Sequence, residues 1–349
     1  MKARIVRPTP ATLGRLARLL RSGGVVAVPT ETVYGLAANA LDAEACRTVF
    51  EIKGRPSNDP LIVHVPSLAA AEEVAVFSPQ AREMAKAFWP GPLTLVLPKR
   101  AVVPAIVTSG LDSVAVRVPR HPAFRALLAK TQRPLAAPSA NPFGYISPTT
   151  AQHVFDNLGA KISDILDGGP CRVGVESTIV DLRDPRKPRL LRPGWITARD
   201  IAKATGIRIS VTKPRRPAQV AATATARLAK PSARGMVAPG MSTKHYSPRT
   251  PLCLVAKIRG RELRAHASEA GKTAWVYFSK PAMLPKQIPR DQVYWFSVDG
   301  NPAQEARALF KTLRALDGKG YARIVAEKAP PSPQTDSLND RLRRAAAKS

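Results

Sequence analysis

The sequence predicts two α/β units, first a mixed sheet covered by helices and then a smaller Rossmann-like sheet. Three observations support this prediction. Short runs rich in Val, Ile and Leu alternate with segments of helical periodicity over residues 1–200. Residues 201–261 contain no Asp or Glu and separate the two units. A second series of strand-like and helix-like segments begins at Leu252.

The first unit is predicted from its alternating segments. Runs of branched aliphatic residues predict strands at 25–28, 61–65, 93–97, 114–118 and 178–182. Apolar residues at helical spacing predict helices around 9–22, 42–52, 67–76, 78–88, 121–130 and 150–158. Thr9 is a suitable N-cap for the first helix, and Gly23-Gly24 is a suitable stop. Because strands and helices alternate, we expect a mixed sheet with helices packed on it.

The domain boundaries follow from shifts in composition. We expect a catalytic domain at 1–210, a basic linker at 211–250 that acts as an active-site lid, and a second domain at 251–349. Within the second domain, strands are predicted at 252–258, 273–279, 292–298 and 321–327, with helices near 260–270 and 302–316. No Gly-x-Gly-x-x-Gly follows its first strand, so dinucleotide binding is not supported.

Composition limits the kind of protein. The chain has 349 residues, 44% of them hydrophobic, which suits about two domains. A formal charge of +29 favours anionic partners: nucleotides, polyphosphates, RNA or a membrane surface. The cysteines Cys46, Cys171 and Cys253 stand singly, so neither a zinc site nor a disulfide framework is expected. No apolar run of about 18 residues and no signal peptide occurs, so we expect a cytoplasmic protein without a membrane span.

Two segments have the residue types of a phosphate site that is not a P-loop, since the sequence has neither a P-loop motif nor the protein-kinase signatures. In 53–56 (KGRP), a Lys point charge and an Arg fork can converge on a polyphosphate. In 137–141 (APSAN), small residues let a ligand approach the backbone, while Ser139, Asn141 and the later Ser147 offer uncharged hydrogen bonds. Each segment alone is equally compatible with a solvated turn.

Polar side chains also stand at predicted strand ends. Thr30 and Thr32 follow the strand at 25–28, and ligands of α/β sheets bind at such edges. Ser177 enters the strand at 178–182, and Arg192 precedes a Pro-Gly turn. Simple capping turns would give the same pattern.

Strand alternation places further side chains on shared faces. Ser113, Ala115 and Arg117 lie on one face of their strand, so Arg117 has small neighbours, as in a pocket for a carboxylate or a phosphate. His64 points away from the face of its two valine neighbours. An edge strand with a solvated arginine and a buried structural histidine are the plainer alternatives.

Taken together and in order, these segments resemble a known family. The motifs PTETVYGL, KGRP…PLIVH, SVAVRVP, APSAN, ESTIV and RPG are similar to those of the YrdC-like threonylcarbamoyl-adenylate synthases, over roughly residues 10–200. The motif MVAPGM…HYSP and the added domain resemble the long form of that family. The resemblance implies a twisted α/β sheet with a basic concave surface. It also implies condensation of L-threonine, bicarbonate and ATP into threonylcarbamoyl-adenylate and pyrophosphate. Partner proteins would then transfer the threonylcarbamoyl group to a tRNA adenosine beside the anticodon.

The resemblance also implies roles for individual residues. Lys53 and Arg55 would be catalytic, by neutralising the phosphates of ATP. The implied ATP-binding residues are Lys53, Arg55, Asp59, Ser113, Ser139, Asn141, Ser147, Arg192, His245 and Tyr246. The implied threonine-binding residues are Thr30, Thr32, His64, Arg117, Ala137 and Ser177, with Arg117 pairing with the amino-acid carboxylate.

One position departs from the family pattern. Family members often have Asn before the Pro of PLIVH, whereas this chain has Asp59, preceded by Asn58. A negative charge beside polyphosphate would be unfavourable unless Mg²⁺, which is expected to accompany ATP, bridges it. No metal held by the protein itself is expected.

Two other classes of function stay open at this point. An RNA-binding module without catalysis would suit the charge, although aromatic residues are only 5% of the chain and no aromatic–basic platform is evident. Direct contact with tRNA is compatible with either reading. A carbamoyltransferase of the hydrogenase-maturation type shares the YrdC-like core, but we expect it to carry cysteine-rich zinc modules upstream of that core.

Overall fold

The structure, a computed structural model, describes residues 2–211, 236–240, 245–265 and 272–347. The predicted linker at 211–250 and the end of the helix predicted near 260–270 lie partly outside these residues. None of the helices in the described ranges has the length and apolarity needed to cross a bilayer.

The first unit alternates strands and helices as predicted. In chain order its elements are β1 (Arg4–Val6), α1 (Pro10–Arg21), β2 (Val26–Val28), β3 (Gly35–Asn39), α2 (Ala43–Lys53), β4 (Ile62–His64), α3 (Leu68–Glu72), α4 (Pro79–Phe88), β5 (Leu93–Pro98), β6 (Ser113–Arg117), α5 (Pro122–Thr131), β7 (Leu135–Ala136), α6 (Ala151–Leu158), β8 (Asp164–Leu166), β9 (Thr178–Asp181), β10 (Arg189–Arg192), α7 (Ala198–Thr205) and β11 (Ser210–Val211). All the strands and helices predicted for this unit are confirmed. Thr9 caps α1 by accepting the Thr12 amide, as expected.

The second unit also matches its prediction, with one helix added. Its elements are β12 (Leu252–Val255), α8 (Gly260–Ala265), β13 (Thr273–Ser279), β14 (Val293–Ser297), α9 (Pro302–Asp317), β15 (Arg323–Glu327) and α10 (Asp336–Ala345). The four strands form a parallel sheet in the order β12-β15-β13-β14. The sequence analysis did not predict α10.

The strands described in the first unit form a mixed sheet in the order β1-β8-β2-β3-β7-β4-β6-β5-β9-β10-β11. Near its middle, β4 runs parallel to β6, with Ile62 opposite Ala115 and His64 opposite Arg117. This register places the histidine and the arginine side by side on one face.

The two faces of the middle strands pack against different surroundings. Val63, Val65, Val114 and Val116 point into the largest apolar core, which also contains residues of α3, α4 and α7. The other face has a smaller cluster of Ile62, Val96, Ala115 and Ile179, covered by Ala238 of the linker. The predicted alternation is therefore confirmed, and the face that carries His64 and Arg117 is left for a ligand.

The local sequence positions the basic turn after α2. The helix begins at the N-cap Asp42, whose carboxylate accepts the amides of Glu44 and Ala45. It ends at Lys53 because Gly54 adopts a left-handed conformation (φ 60°) that favours glycine. The chain then turns towards β4, so Lys53 and Arg55 both lie beside the central sheet.

The two units share one hydrophobic cluster. Leu309, Phe310 and Leu313 of α9 are buried with Ile146 and Val175 of the first unit. Such continuity is typical of domains that are held together by packing rather than tethered loosely.

Polar contacts reinforce the junction between the units. Tyr145 donates to Asp317 at 2.7 Å, and Arg314 donates to the Ile146 carbonyl and to Asn157. Arg314 also donates to the Ser147 carbonyl at 3.4 Å. Helix α9 thus fixes the segment 145–147, which follows APSAN.

We expect Gly174→Ala to destabilise this junction. Gly174 has φ +83°, and a Cβ there would lie 2.5 Å from the Ala306 carbonyl oxygen and 2.6 Å from the Arg307 Cα in α9. The left-handed conformation costs about 1–2 kcal/mol without glycine, and overpacking adds about 1–3 kcal/mol. Urea unfolding should therefore show a loss of about 2–5 kcal/mol. Gly206→Ala is the control, because φ is +72° there but nothing lies within 4 Å. Equal losses in the two variants would contradict the steric argument.

Candidate active site

A small, partly open cavity lies on the free face of the central sheet. Its walls come from the loop after β2, the strands β4 and β6, the APSAN segment, the start of β9, the end of β10 and the linker. Eleven predicted site residues line it: Thr30, Thr32, Arg55, His64, Arg117, Ala137, Ser139, Ser177, Arg192, His245 and Tyr246.

Lys53 lies behind the cavity wall rather than in it. It is 3% exposed, and its Nζ donates to the main-chain carbonyls of Ser139 and Asn141, at 2.5 Å each. Burial holds the pKa of the Lys53 ammonium well below its usual value, and the neighbouring Arg55 charge lowers it further. Lys53 thus joins the end of α2 to APSAN, the two segments that the sequence analysis singled out. An ammonium has three donors, and these two carbonyls accept two of them.

Arg55 lines the cavity and is paired internally. Its Nη2 lies 2.9 Å from Asp59 Oδ1, and it donates to the main-chain carbonyls of Asp59 and Pro60. Asp59 is fully buried and does not line the cavity. Burial raises the pKa of its carboxyl group, and Arg55 and Lys53 offset this only in part. Among the described residues, the counter-ion beside Asp59 is Arg55.

Arg192 is a buried cation that makes no ion pair with a carboxylate among the described residues. It is 4% exposed, and it donates to the Ser177 carbonyl and hydroxyl, both at 3.1 Å, and to the Pro239 carbonyl at 3.4 Å. Burial is the main reason why its pKa is lowered. A desolvated guanidinium bound only to neutral oxygens is suited to an anionic ligand.

A bulge directs Arg192 into the cavity. The register between β9 and β10 shifts between Leu190 and Arg192. Leu191 packs on the cavity-side cluster, and Arg192 also lines the cavity although regular alternation would put neighbours on opposite faces. A β-bulge re-aims a side chain in this way.

Arg117 is held by residues from the loop after β2. Its Nη2 lies 2.8 Å from Glu31 Oε1, and its Nη1 donates to Thr32 Oγ1 at 3.0 Å. Thr32 and Thr30 in turn share a hydrogen bond of 2.7 Å. Burial works to raise the pKa of Glu31, but the charge and hydrogen bonds of Arg117 outweigh it and lower that pKa. The predicted carboxylate ligand of Arg117 would share the guanidinium with Glu31.

His64 lies next to Arg117 and packs on Phe124, with ring centroids 5.4 Å apart. Burial, followed by the charge of Arg117, lowers the pKa of His64 to about 3. The imidazole is therefore neutral at neutral pH and can serve the cavity as a hydrogen-bonding group.

This burial predicts a pH dependence of stability. The folded pKa of His64 is below the unfolded value of about 6.5, so the unfolded state binds more protons as pH falls from about 6.5 to 3, and stability is lost there. Between pH 7 and pH 5 we expect the wild type to lose about 2 kcal/mol more than His64→Gln. Urea unfolding at both pH values measures the difference. Identical pH dependence in the two proteins would show that His64 is not buried in neutral form.

The predicted nucleotide-binding loop at 137–147 is held by hydrogen bonds on the side away from the cavity. Asn141 is 1% exposed and donates to the carbonyls of Pro142 and Tyr145, at 2.9 Å each. Ser147 donates to Glu176 Oε1 at 2.5 Å. Asn141 and Ser147 therefore do not line the cavity, whereas Ser139 does. Ser113, at the start of β6, is also buried outside the cavity wall, and its hydroxyl has no hydrogen-bond partner among the described residues.

Two linker residues close one side of the cavity. The His245 ring lies 4.2 Å from the Tyr246 ring and 5.7 Å from the Phe143 ring, edge to face in both cases. The next residue, Ser247, donates its amide to the Gly144 carbonyl at 2.8 Å. Burial holds the pKa of His245 well below its usual value, and Arg55 and Lys53 add to this effect. This part of the linker is thus ordered against the predicted site.

Some residues of the site were not predicted from the sequence. Glu176 lines the cavity, and Glu31 is the counter-ion of Arg117, but neither was given a role. The signal for Glu31 was a carboxylate between two threonines at a strand end. Pro239 and Gly240 also line the cavity, and their signal was the MVAPGM motif.

This arrangement can bind anions and small polar groups together. The cavity combines Arg55, Arg192 and Arg117 with hydroxyl groups and a neutral imidazole. Within the described ranges, no three His, Cys, Asp or Glu side chains group together to hold a metal ion. The fold and the site define a class: α/β proteins with an arginine-rich pocket, suited to anionic ligands, on the free face of a mixed sheet.

Comparison with known proteins makes the assignment specific. The family model described as "Telomere recombination" matches residues 18–194, and the model described as "Threonylcarbamoyl-AMP synthase, C-terminal domain" matches residues 196–347. The chain belongs to the threonylcarbamoyl-AMP synthase family.

The relatives match both units. The threonylcarbamoyl-AMP synthase of Pyrococcus abyssi is 43% identical over 338 residues, which are 94% of this chain and 92% of that protein. The synthase of Bacillus subtilis is 37% identical over 96% of this chain and 92% of its own length. The crystal structure of P. abyssi Sua5 complexed with L-threonine superposes with a TM-score of 0.82 at 40% identity, covering 99% of this chain and 98% of that one. The predicted family and fold are confirmed.

Proposed function

We propose that this chain makes threonylcarbamoyl-adenylate and pyrophosphate from L-threonine, bicarbonate and ATP. The observation that carries the proposal is one cavity that joins two buried arginines, Arg55 and Arg192, to a polar wall with Thr32, His64 and Arg117. Relatives of the same length are named threonylcarbamoyl-AMP synthases, and one of matching fold was crystallised with L-threonine.

In this proposal the cavity has two parts. Arg55, Ser139, Arg192, His245 and Tyr246 line it where we place ATP. Five further residues are assigned to the ATP side although they do not line the cavity: Lys53, Asp59, Ser113, Asn141 and Ser147. All but Ser113 contact a cavity-lining residue or the loop at 139–147. Thr30, Thr32, His64, Arg117, Ala137 and Ser177 line the cavity where we place L-threonine.

The chemistry requires positioning rather than a nucleophilic side chain. The neutral threonine amine attacks the carbon of carbon dioxide and loses a proton to give a carbamate; with bicarbonate, the same carbamate forms with loss of water. A carbamate oxygen then attacks the α-phosphorus of ATP in line, the bond to the bridging oxygen breaks, and pyrophosphate leaves with its electron pair. Two anions must approach in a dry site, where like charges about 4 Å apart repel by several kcal/mol. Arg55 and Arg192, with the third donor of Lys53, offset this repulsion.

Magnesium belongs to the substrate in this proposal. Asp59 faces Arg55, and the described part of the chain gathers no other set of metal-ligating side chains. Mg²⁺ therefore arrives as MgATP, held by phosphate oxygens.

The linker at 211–250 is proposed to be a lid between the domain at 1–210 and the domain at 251–349. Its described residues support this, because His245 and Tyr246 line the cavity and Ala238 packs on the sheet beside it. A lid excludes water from an activated carbamate and an adenylate.

Incubation with ATP, L-threonine, bicarbonate and Mg²⁺ tests the function. Formation of pyrophosphate and threonylcarbamoyl-adenylate only when every substrate is present would support it. The product would serve tRNA threonylcarbamoyl-transfer proteins in the cytoplasm, with direct tRNA contact favoured by the charge of +29. No product, together with salt-sensitive RNA binding, would instead favour an RNA-binding module.

A further inference from the structure

Arg341 belongs to α10 of the second unit, yet its guanidinium contacts Glu176, a residue of the cavity wall in the first unit. The residue is 1% exposed. Its Nε donates to Glu176 Oε2 at 2.7 Å, and its Nη1 donates to the Pro193 carbonyl at 3.0 Å. Pro193 directly follows Arg192. One side chain of α10 therefore contacts both segments that enclose the phosphate side of the proposed site.

Glu176 connects Arg341 to the predicted nucleotide loop. Its Oε2 accepts from Arg341, and its Oε1 accepts from Ser147 at 2.5 Å. Glu176 also lines the cavity. Both oxygens of this carboxylate are thus held, and its negative charge is compensated by a group outside the cavity.

Arg341 Nη1 also donates to the neighbouring Asp340 Oδ2 at 2.8 Å, and the guanidinium touches Tyr246. The Arg341 guanidinium carbon lies 5.2 Å from the centroid of the Tyr246 ring. Arg341 Nη2 has no hydrogen-bond acceptor among the described residues, so this part of the cation faces the ring. Tyr246 has φ +63°, a conformation rare for a tyrosine, and it depends on surroundings that hold it.

We propose that Arg341 is a positioning residue for the nucleotide: it neutralises Glu176, so that Arg192 stays free for the phosphates, and it holds Tyr246 in the cavity wall. The proposal rests on the ATP site proposed above. Glu176 and Arg192 lie close enough to interact electrostatically. Without Arg341, the buried carboxylate would still have Arg192 within electrostatic reach, and Arg192 has no carboxylate partner among the described residues. A carboxylate that takes Arg192 as its counter-ion would oppose a triphosphate at the same place.

Arg341→Met tests the proposal, because methionine keeps the apolar stem and removes the charge. We expect the dissociation constant for ATP, measured with Mg²⁺ but without threonine and bicarbonate, to rise about tenfold or more. In steady state, the KM for ATP should rise while the KM for threonine and kcat stay within about threefold of the wild type. A merely structural role would reduce the active fraction, so kcat would fall and both KM values would stay unchanged.

The double variant Arg341→Met/Glu176→Gln separates charge from packing. It removes the charges of Arg341 and Glu176 and keeps the amide as a partner for Ser147, while Asp340 keeps its ion pair with Arg344 at 3.0 Å. ATP affinity should therefore return to within about threefold of the wild type. Arg343→Gln is the control, since Arg343 is exposed on the same helix. Its ATP affinity should equal that of the wild type.

Three outcomes would overturn the inference: unchanged ATP affinity in Arg341→Met, a loss that persists in the double variant, or an equal loss in Arg343→Gln. If Arg341→Met does not fold, the double variant decides by the same threefold criterion. A wild type that binds ATP but makes no threonylcarbamoyl-adenylate would refute the proposed function, and the ATP titrations would still test Arg341. A wild type that does not bind ATP would refute both.

Discussion

Replacing Arg192 with methionine is expected to weaken ATP binding about 100-fold or more and to leave the empty protein at least as stable. Arg192 is a desolvated cation held only by the neutral oxygens of Ser177 and Pro239. Hydrogen bonds to charged groups contribute about 1.5–3 kcal/mol each, and about 1.4 kcal/mol is tenfold in affinity. Removing a buried charge that has no carboxylate partner also relieves a desolvation cost. Calorimetric titration with ATP and thermal unfolding without ligand measure the two effects.

Arg189→Met provides the matched control on the same strand. Arg189 is about half exposed and pairs with Asp181 at 2.8 Å, away from the cavity. Its replacement should leave ATP affinity unchanged and alter stability by less than about 1 kcal/mol. Normal ATP affinity in Arg192→Met would remove this residue from the site.

Lys53→Met is expected to reduce threonylcarbamoyl-adenylate synthesis about 100-fold. Two hydrogen bonds from its Nζ join the end of α2 to Ser139 and Asn141. Their loss leaves two carbonyls without this donor and releases the wall that holds the nucleotide, at a cost of about 1.5–3 kcal/mol for each bond. The variant also lacks the third N–H donor that we propose for the ATP phosphates. Pyrophosphate release under saturating substrates measures the effect.

Lys161→Met is the corresponding control. Lys161 is exposed, and its Nζ also donates to a main-chain carbonyl near α2, that of Ile52, at 3.3 Å. A variant there should have wild-type activity. If Lys53→Met were as active as Lys161→Met, the connection between the two motifs would have no catalytic importance.

Much of the fold was predictable because its longer elements have clear periodicity. The strand predicted at 273–279 has those bounds in the structure. β1 and β8 have only three residues each, and β3 has the sequence GLAAN, which has no β-branched residue. These strands are stabilised by their partners, β8 for β1 and both β2 and β7 for β3, so their own sequences give little sign of them.

The site was predictable as a set of residues but not as a geometry. Motif order indicated that 53–56 and 137–141 belong together, and Lys53 physically joins them. The pairing of Arg117 with Glu31 and the bulge that turns Arg192 inward arise from tertiary packing. No spacing rule encodes either of them.

The sequence of α10 indicates a helix but does not indicate the importance of Arg341. Leu338 and Leu342 are four positions apart and both buried, which is helical spacing. Arg341 follows Asp340 and begins the charged run RLRR, where an arginine is usually solvated. Its burial depends on a carboxylate in another domain, so its importance emerges only in three dimensions.

The pairing of β1 with β8 has a consequence for how the chain is assembled during synthesis. Arg4 in β1 lies opposite Asp164 in β8, 160 positions later. The ribosome adds about 5–20 residues per second, so β1 waits about 8–32 seconds for its neighbour. Meanwhile β2 and β3 can pair almost as soon as they emerge. The sheet therefore grows outward from its interior, and the first strand to be made is among the last to find its place.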